Sequence, residues 1–132
     1  MSGTISYHIL TIPAGANRIA HQFPREIYSG SVEVGLEIIT GKFDVAEKFI
    51  QVHTDLVGNG IPVNGSYSRL LAEVINASTA NSMMSYEPAH VKKIPSHIVA
   101  LESAEIWLTD TQGSPISPLE EARLLISITN LC

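Results

Sequence analysis

The stretch Gly30-Ser31-Val32-Glu33-Val34-Gly35-Leu36-Glu37-Ile38 decides the fold class. Val32, Val34, Leu36 and Ile38 alternate with Glu33, Gly35 and Glu37, a period of two that sends one set to a core face and the other toward solvent. Upstream, residues 5–12 (ISYHILTI) read as a strand that runs into Pro13-Ala14-Gly15-Ala16-Asn17, where Pro fixes φ and Gly and Asn accept turn conformations. Phe23-Pro24 and a turn at Ser29-Gly30 separate that strand from the central one. Downstream, residues 49–57 (FIQVHTDLV) repeat the alternation, with Ile50, Val52 and Leu56 opposite Gln51, His53 and Asp55.

Beyond a loop at 58–65, residues 68–75 (SRLLAEVI) fit a strand pair about as well as a helix face, and they are assigned to a strand. Residues 76–85 (NASTANSMMS) are small and polar and predict a long surface loop. The apolar pattern resumes at Tyr86-Glu87-Pro88, at Ile98 to Leu101, and at Ala104, Ile106 and Leu108, which alternate with Glu105, Trp107 and Thr109. Asp110-Thr111-Gln112-Gly113 closes a turn, and Leu124, Ile126 and Ile128 share a face in the last run. Pro115 and Pro118 exclude a continuous helix into that run.

Seven or eight short strands at roughly 10–15-residue spacing predict a β-sandwich, whose commonest forms are the jelly roll and the immunoglobulin-like fold. A single tryptophan late in the chain and a single cysteine at its end weigh against the immunoglobulin form. The expected class is all-β, a single eight-stranded antiparallel jelly-roll β-sandwich spanning one domain of 132 residues.

Composition narrows the function. Forty-five per cent of residues are hydrophobic and 16% charged, with a mean hydropathy of +0.18, so some apolar surface is expected to meet partners. The net charge of −5 and pI near 5.4 give no field that would attract nucleic acid or anionic lipid. Cys132 alone forms no internal disulfide and no cysteine-rich zinc site, which fits a reducing compartment. Neither a secretory leader nor a run long enough to span a membrane is read in the chain, and it is expected to be made and used in solution inside a cell.

Chemistry-bearing motifs are few. His53-Thr54-Asp55 places an imidazole and a carboxylate on one strand face, the H-x-D half of an iron-binding facial triad, with His90 or His97 as third ligand and Arg123 for a cosubstrate carboxylate. Extra segments for substrate and cosubstrate are lacking, and an exposed polar strand face explains the pair more simply. His8, His21, His53, His90 and His97 include no His-x-His pair, so a cupin-type metal site is not expected. No G-x-S-x-G or glycine-rich phosphate loop occurs, and Glu120, Glu121 and Asp110 read as solvated turn charges. A sugar- or peptide-binding module would depend on Tyr67, Tyr86 and Trp107 as its stacking platforms. Trp107 points away from the Ile106 face, so either a loop of the same chain or a partner must cover it. Met83 and Met84, in the expected loop, suit adaptable contacts. No enzyme activity and no cofactor are expected. Trp107, Tyr67, Arg69, Met83 and Met84 are the candidate subunit contacts.

Several segments, in order, resemble the penton-like minor capsid proteins of Polinton/Maverick elements, adintoviruses and their virophage relatives. Gly30 to Leu36 is similar to that family's "G-x-W-E-V-A-L" strand, with Val32 in place of the aromatic, and Ile50 to Val57 to its "I-Y-V-Y-C-D-I-V" strand. Ile61 to Val74 resembles "Q-x-V-G-D-x-x-x-P-L-L-R-x-V", with Gly65, Leu70 and Leu71 in matching places. Tyr86-Glu87-Pro88 resembles "Y-x-P", and Leu101 to Ile116 resembles "I-x-x-I-E-I-x-I-T-D-x-x-G-x-P-I". The family's terminal "L-H-F-R" is replaced here by Ser127-Ile128-Thr129-Asn130. The resemblance implies a virion protein, assembled inside the host cell, that forms a homopentamer at icosahedral fivefold vertices. Its implied partners are a double-jelly-roll major capsid protein and a further vertex or fibre protein, with no direct nucleic-acid contact.

Overall fold

The computed structural model describes residues 5–23, 30–57, 69–78, 82–98 and 103–130. The alternating run around Val34 lies in the longest strand, β3 (Gly30–Lys42). Before it come β1 (Ile5–Ile12) and β2 (Arg18–Gln22), and after it β4 (Phe49–Thr54), β5 (Leu70–Ile75), β6 (Met83–Tyr86), β7 (Ile94–Ile98), β8 (Ser103–Thr109) and β9 (Ala122–Asn130). One sheet has the order β1-β9-β3-β6, with β7 also on β3, and the other the order β2-β8-β4-β5. Every pairing is antiparallel.

Successive strands alternate between the sheets except at the β4–β5 and β6–β7 steps, which is the winding of a jelly roll. Nine strands are found among the described residues where eight were expected, because β6 and β7 share one position along β3. β6 pairs with Ile39 to Lys42 and β7 with Gly30 to Val34. The intervening segment crosses the outer face of β3 at Gly35, where a Cβ would lie 2.7 Å from Val91 Cγ1 and 3.3 Å from Ser127 Oγ. A side chain at 35 would collide with the crossing segment, so glycine here permits the interruption. Pro95, opposite Glu33, is accommodated because β7 pairs with β3 on one side only among the described strands.

The core comes from the two inner faces. Leu10 and Ile12 of β1, Val32, Val34 and Leu36 of β3, Ile50 and Val52 of β4, Ile106 and Leu108 of β8, and Leu124, Ile126 and Ile128 of β9 are all buried in it. Each such side chain contributes about 1.5–3 kcal/mol of transfer free energy.

Several sequence expectations need correction. The β3–β9 register shifts between Leu36 and Ile38, a bulge that turns Ile39, not Ile38, into the core. A second shift, between Val52 and His53, leaves Leu71 as an extra residue on β5, so Leu70 and Leu71 are both buried. This doubling is why 68–75 resembled a helix face. The strand expected at 49–57 ends at Thr54, whose Oγ1 accepts a 3.2 Å bond from the Leu56 amide as the chain turns. The long loop expected at 76–85 gives way to β6 at Met83, and Met84 is buried in the core opposite Gly41. The strand expected at 98–101 lies earlier, as β7, and 99–101 fall outside the described residues. β2 was not read from the sequence because its inward residues, Ile19 and His21, give too short an apolar signal.

The Asp110 turn forms as expected. The Asp110 carboxylate accepts bonds from the Gln112 and Ser114 amides at 2.8 and 2.9 Å, while Gly113 takes φ of +86°.

Candidate functional site

The smaller sheet carries its polar chemistry on the outer face, where strand register lines up Arg18 of β2, Trp107 of β8 and His53 of β4. Arg18 lies over the indole, 4.4 Å from the guanidinium carbon to the ring centroid, and its Nη1 donates to Glu105 Oε2 at 2.9 Å. His53 stacks parallel to Trp107, with centroids 5.6 Å apart and 6° between planes. Because β2 and β4 flank β8 on opposite sides, guanidinium and imidazole cover opposite faces of the indole.

The Thr109 hydroxyl donates to the Asp110 carbonyl at 3.0 Å, and its oxygen lies 2.8 Å from His53 Nε2. With that hydroxyl proton already committed, the short contact assigns the hydrogen to Nε2 of His53. Burial holds the His53 pKa below its ordinary 6.5.

Asp55 follows β4, and its carboxylate accepts the Glu105 amide at 2.9 Å. The Asp55 amide in turn donates to the Glu105 carbonyl at 3.3 Å. Both members of the H-x-D pair are therefore tied to β8. His97 is exposed on β7 in the other sheet, His90 lies in the segment between β6 and β7, and Arg123 is on β9. The fold separates the residues that an iron site would bring together. Among the described residues, no three or more His, Cys, Asp or Glu side chains form a group that could hold a metal.

The candidate contact residues fall in different places. Trp107 is half-buried under its own sheet neighbours, so neither a loop nor a partner is needed to cover its faces. Arg69 is exposed and donates from Nη1 to the Asp55 carbonyl at 3.1 Å. Met83 is 60% exposed on β6, while Met84 belongs to the core. Tyr67 lies outside the described residues. Tyr86 packs against the core and offers no open platform.

Sequence reasoning missed an exposed apolar surface among the described residues. Ile5, Tyr7 and Ile9 project from the outer face of β1 at 43%, 59% and 63% exposure. Ile9 is in register with Leu125, which is in register with Ile38, forming an apolar row across three strands. Beside it lies a shallow groove of about 190 Å³ lined by Ile9, Ile38, Thr40, Arg123, Leu124 and Leu125. The signal was present in ISYHILTI, where the inward set (His8, Leu10, Ile12) and the outward set (Ile5, Tyr7, Ile9) are both largely apolar. A smaller pair, Phe49 opposite Ile75, is exposed on the other sheet.

No family model matches the chain, and no curated protein matches it in sequence. Among solved structures, the core of Drosophila NLP, studied for pentamer formation and histone binding, aligns at TM-score 0.41 and 11% identity, over 96% of this chain and 98% of that one. The infectious bursal disease virus Gt strain structure aligns at TM-score 0.31 and 16% identity, over 94% of this chain and 32% of that one. The GH115 4-O-methyl-α-glucuronidase BtGH115A aligns at TM-score 0.41 and 13% identity, with 94% of this chain matching 14% of the enzyme. The jelly roll itself stands on the strand order described above.

Proposed function

We propose that this chain is a structural shell subunit: a single jelly roll that assembles with copies of itself into a pentamer at the fivefold vertices of an icosahedral virion. The observation that carries the reading is the exposed apolar outer face of β1, continued by Leu125 and Ile38, on a sandwich whose core is already filled. Contiguous exposed apolar surface of this kind marks a site of association. A cyclic ring needs two different sides on each subunit, and the Phe49–Ile75 pair on the other sheet supplies a second. Arg69, Met83 and the exposed edge of Trp107 serve as rim contacts in this reading, with Tyr67 assigned to the same role by residue type.

The order of the capsid-like segments supports the same reading, since they coincide with the strands of the jelly roll. Gly30 to Leu36 lies in β3, Ile50 to Thr54 in β4, Leu70 and Leu71 open β5, Tyr86 ends β6, and Ser103 to Thr109 forms β8. The work of the protein is then assembly in the host cell and service in the virion, beside a double-jelly-roll major capsid protein and a vertex or fibre protein, without catalysis, cofactor or direct nucleic-acid contact.

Electron microscopy of the purified protein tests the proposal. Five-membered rings that disappear in Ile9→Glu are the expected result. Isolated particles of single-subunit size at all concentrations, for both proteins, would overturn it.

A further inference from the structure

The two apolar patches differ in shape and in charge. On the larger sheet, Ile9, Leu125 and Ile38 form a row beside the groove of about 190 Å³, and the exposed Arg123 lines the same groove. A cavity of about 150 Å³ accommodates a benzene ring. The groove therefore has room for one phenyl side chain. On the smaller sheet, Phe49 offers such a ring, 45% exposed beside Ile75 at 59%. Phe49 also lines a polar recess together with Glu47, Lys48, Asp110 and Thr111.

Both patches lie at the same end of the sandwich, on opposite faces. Ile38 and Thr40 belong to the last third of β3, and residues 43–48 then carry the chain to Phe49 at the start of β4. Arg123 and Leu125 belong to the opening half of β9, which follows the connection from Asp110. The Leu119 amide donates to the Lys42 carbonyl at 2.6 Å and ties the two connections together. One copy can thus be engaged on both faces at once, as a closed ring requires of every member.

The charges sort the same way. Arg123 Nε lies 3.8 Å from Glu121 Oε1, too far for a hydrogen bond, so the guanidinium fork is left for a second carboxylate. In the recess, Asp110 Oδ1 already accepts the Gln112 and Ser114 amides. Glu47 is then the carboxylate that fits the fork. Glu121 and Lys48 give each patch one charge of the other sign.

We propose that the Phe49 ring of one copy seats in the Ile9–Leu125–Ile38 groove of the next, with Glu47 of the first paired to Arg123 of the second. The inference rests on the shell reading above and names the contact by which its copies join, unlike patch to unlike patch. The buried ring supplies the anchor of the contact. The charged pair at its rim sets partner and orientation.

Light scattering of the intact protein over a concentration series compares wild type, R123E, E47R and the R123E/E47R double variant, with circular dichroism as a check on folding. Each single variant should need at least about tenfold more protein to assemble, because like charges then face each other. The double variant, with the charges exchanged, should recover most of that loss. A second measurement leaves ring, groove and charges intact. In a C132S background, T40C protein and a longer, tagged T111C protein are mixed and joined with a short bismaleimide. Dimers of mixed length are expected, and dimers of T40C with itself are not.

Wild-type assemblies unaffected by R123E and E47R, a double variant no better than the singles, or T40C self-dimers as the main product would overturn this seating while leaving the shell reading in place. A wild type that stays monomeric at every concentration would overturn both.

Discussion

The His53 imidazole lies parallel to the Trp107 indole, 5.6 Å from centroid to centroid, and Arg18 occupies the opposite face of the same ring. The three residues come from three adjacent strands, so the stack fastens the outer face of the smaller sheet across β2, β8 and β4. Trp107→Ala is expected to destabilise the fold by on the order of 2–3 kcal/mol, from lost aromatic and cation contacts and lost burial. An Arg18/Trp107 double-mutant cycle in urea should return a coupling of about 0.5–1 kcal/mol. Additive effects would show that the guanidinium contributes nothing through the ring.

His53 provides a titration readout of the same stack. Burial lowers its pKa from 6.5, so its contribution to stability is complete above pH 6.5 and is lost as the pH falls through the lowered folded value. In Trp107→Ala the imidazole gains solvent and its pKa should move back up toward 6.5, as followed by NMR. Thr109→Val should leave that pKa nearly in place, because Nε2 carries hydrogen in both charge states, while costing about 1 kcal/mol for the lost bond. A hydrogen on Nδ1 in the neutral ring, read from nitrogen shifts, would contradict this assignment.

The two adjacent methionines separate core from surface. Met84→Ala should cost about 2–3 kcal/mol, since its side chain is buried. Met83→Ala, at an exposed position, should change monomer stability by no more than about 0.5 kcal/mol. Equal effects in denaturant melts would be inconsistent with the β6 register.

Gly35→Ala tests the crossing segment that divides β6 from β7. The added methyl would meet Val91 Cγ1 at 2.7 Å, and a cost of about 1–3 kcal/mol is expected. Val91→Ala in the same chain should recover part of it. A neutral Gly35→Ala would mean that the segment does not lie over β3.

Much of this architecture was legible in the sequence because the core strands obey a period of two. Val32, Val34 and Leu36, then Ile50 and Val52, then Ile106 and Leu108, and finally Leu124, Ile126 and Ile128 all face inward as their alternation predicts. The errors occur where one residue is inserted into the ladder: the bulge beside Ile38 reverses every later face of β3, and the extra Leu71 hides β5 behind an apparent helical pattern. Met84 was misplaced because serines, asparagines and alanines around it outweigh one methionine in any local reading. The Arg18–Trp107–His53 line could not be seen from sequence at all, since its register depends on pairings between strands far apart in the chain. The apolar outer face of β1 was visible as a strand with two apolar sides, but only the sheet order shows that one of those sides is left uncovered.

The central claim is self-assembly through that face, and the most direct test is the solution mass by light scattering across a concentration series, for the wild type and Ile9→Glu. The account predicts a discrete species of five times the 14.3 kDa monomer mass for the wild type and a folded monomer for the variant. A wild type that remains monomeric at every concentration, or an Ile9→Glu protein with unchanged oligomeric mass, would contradict it.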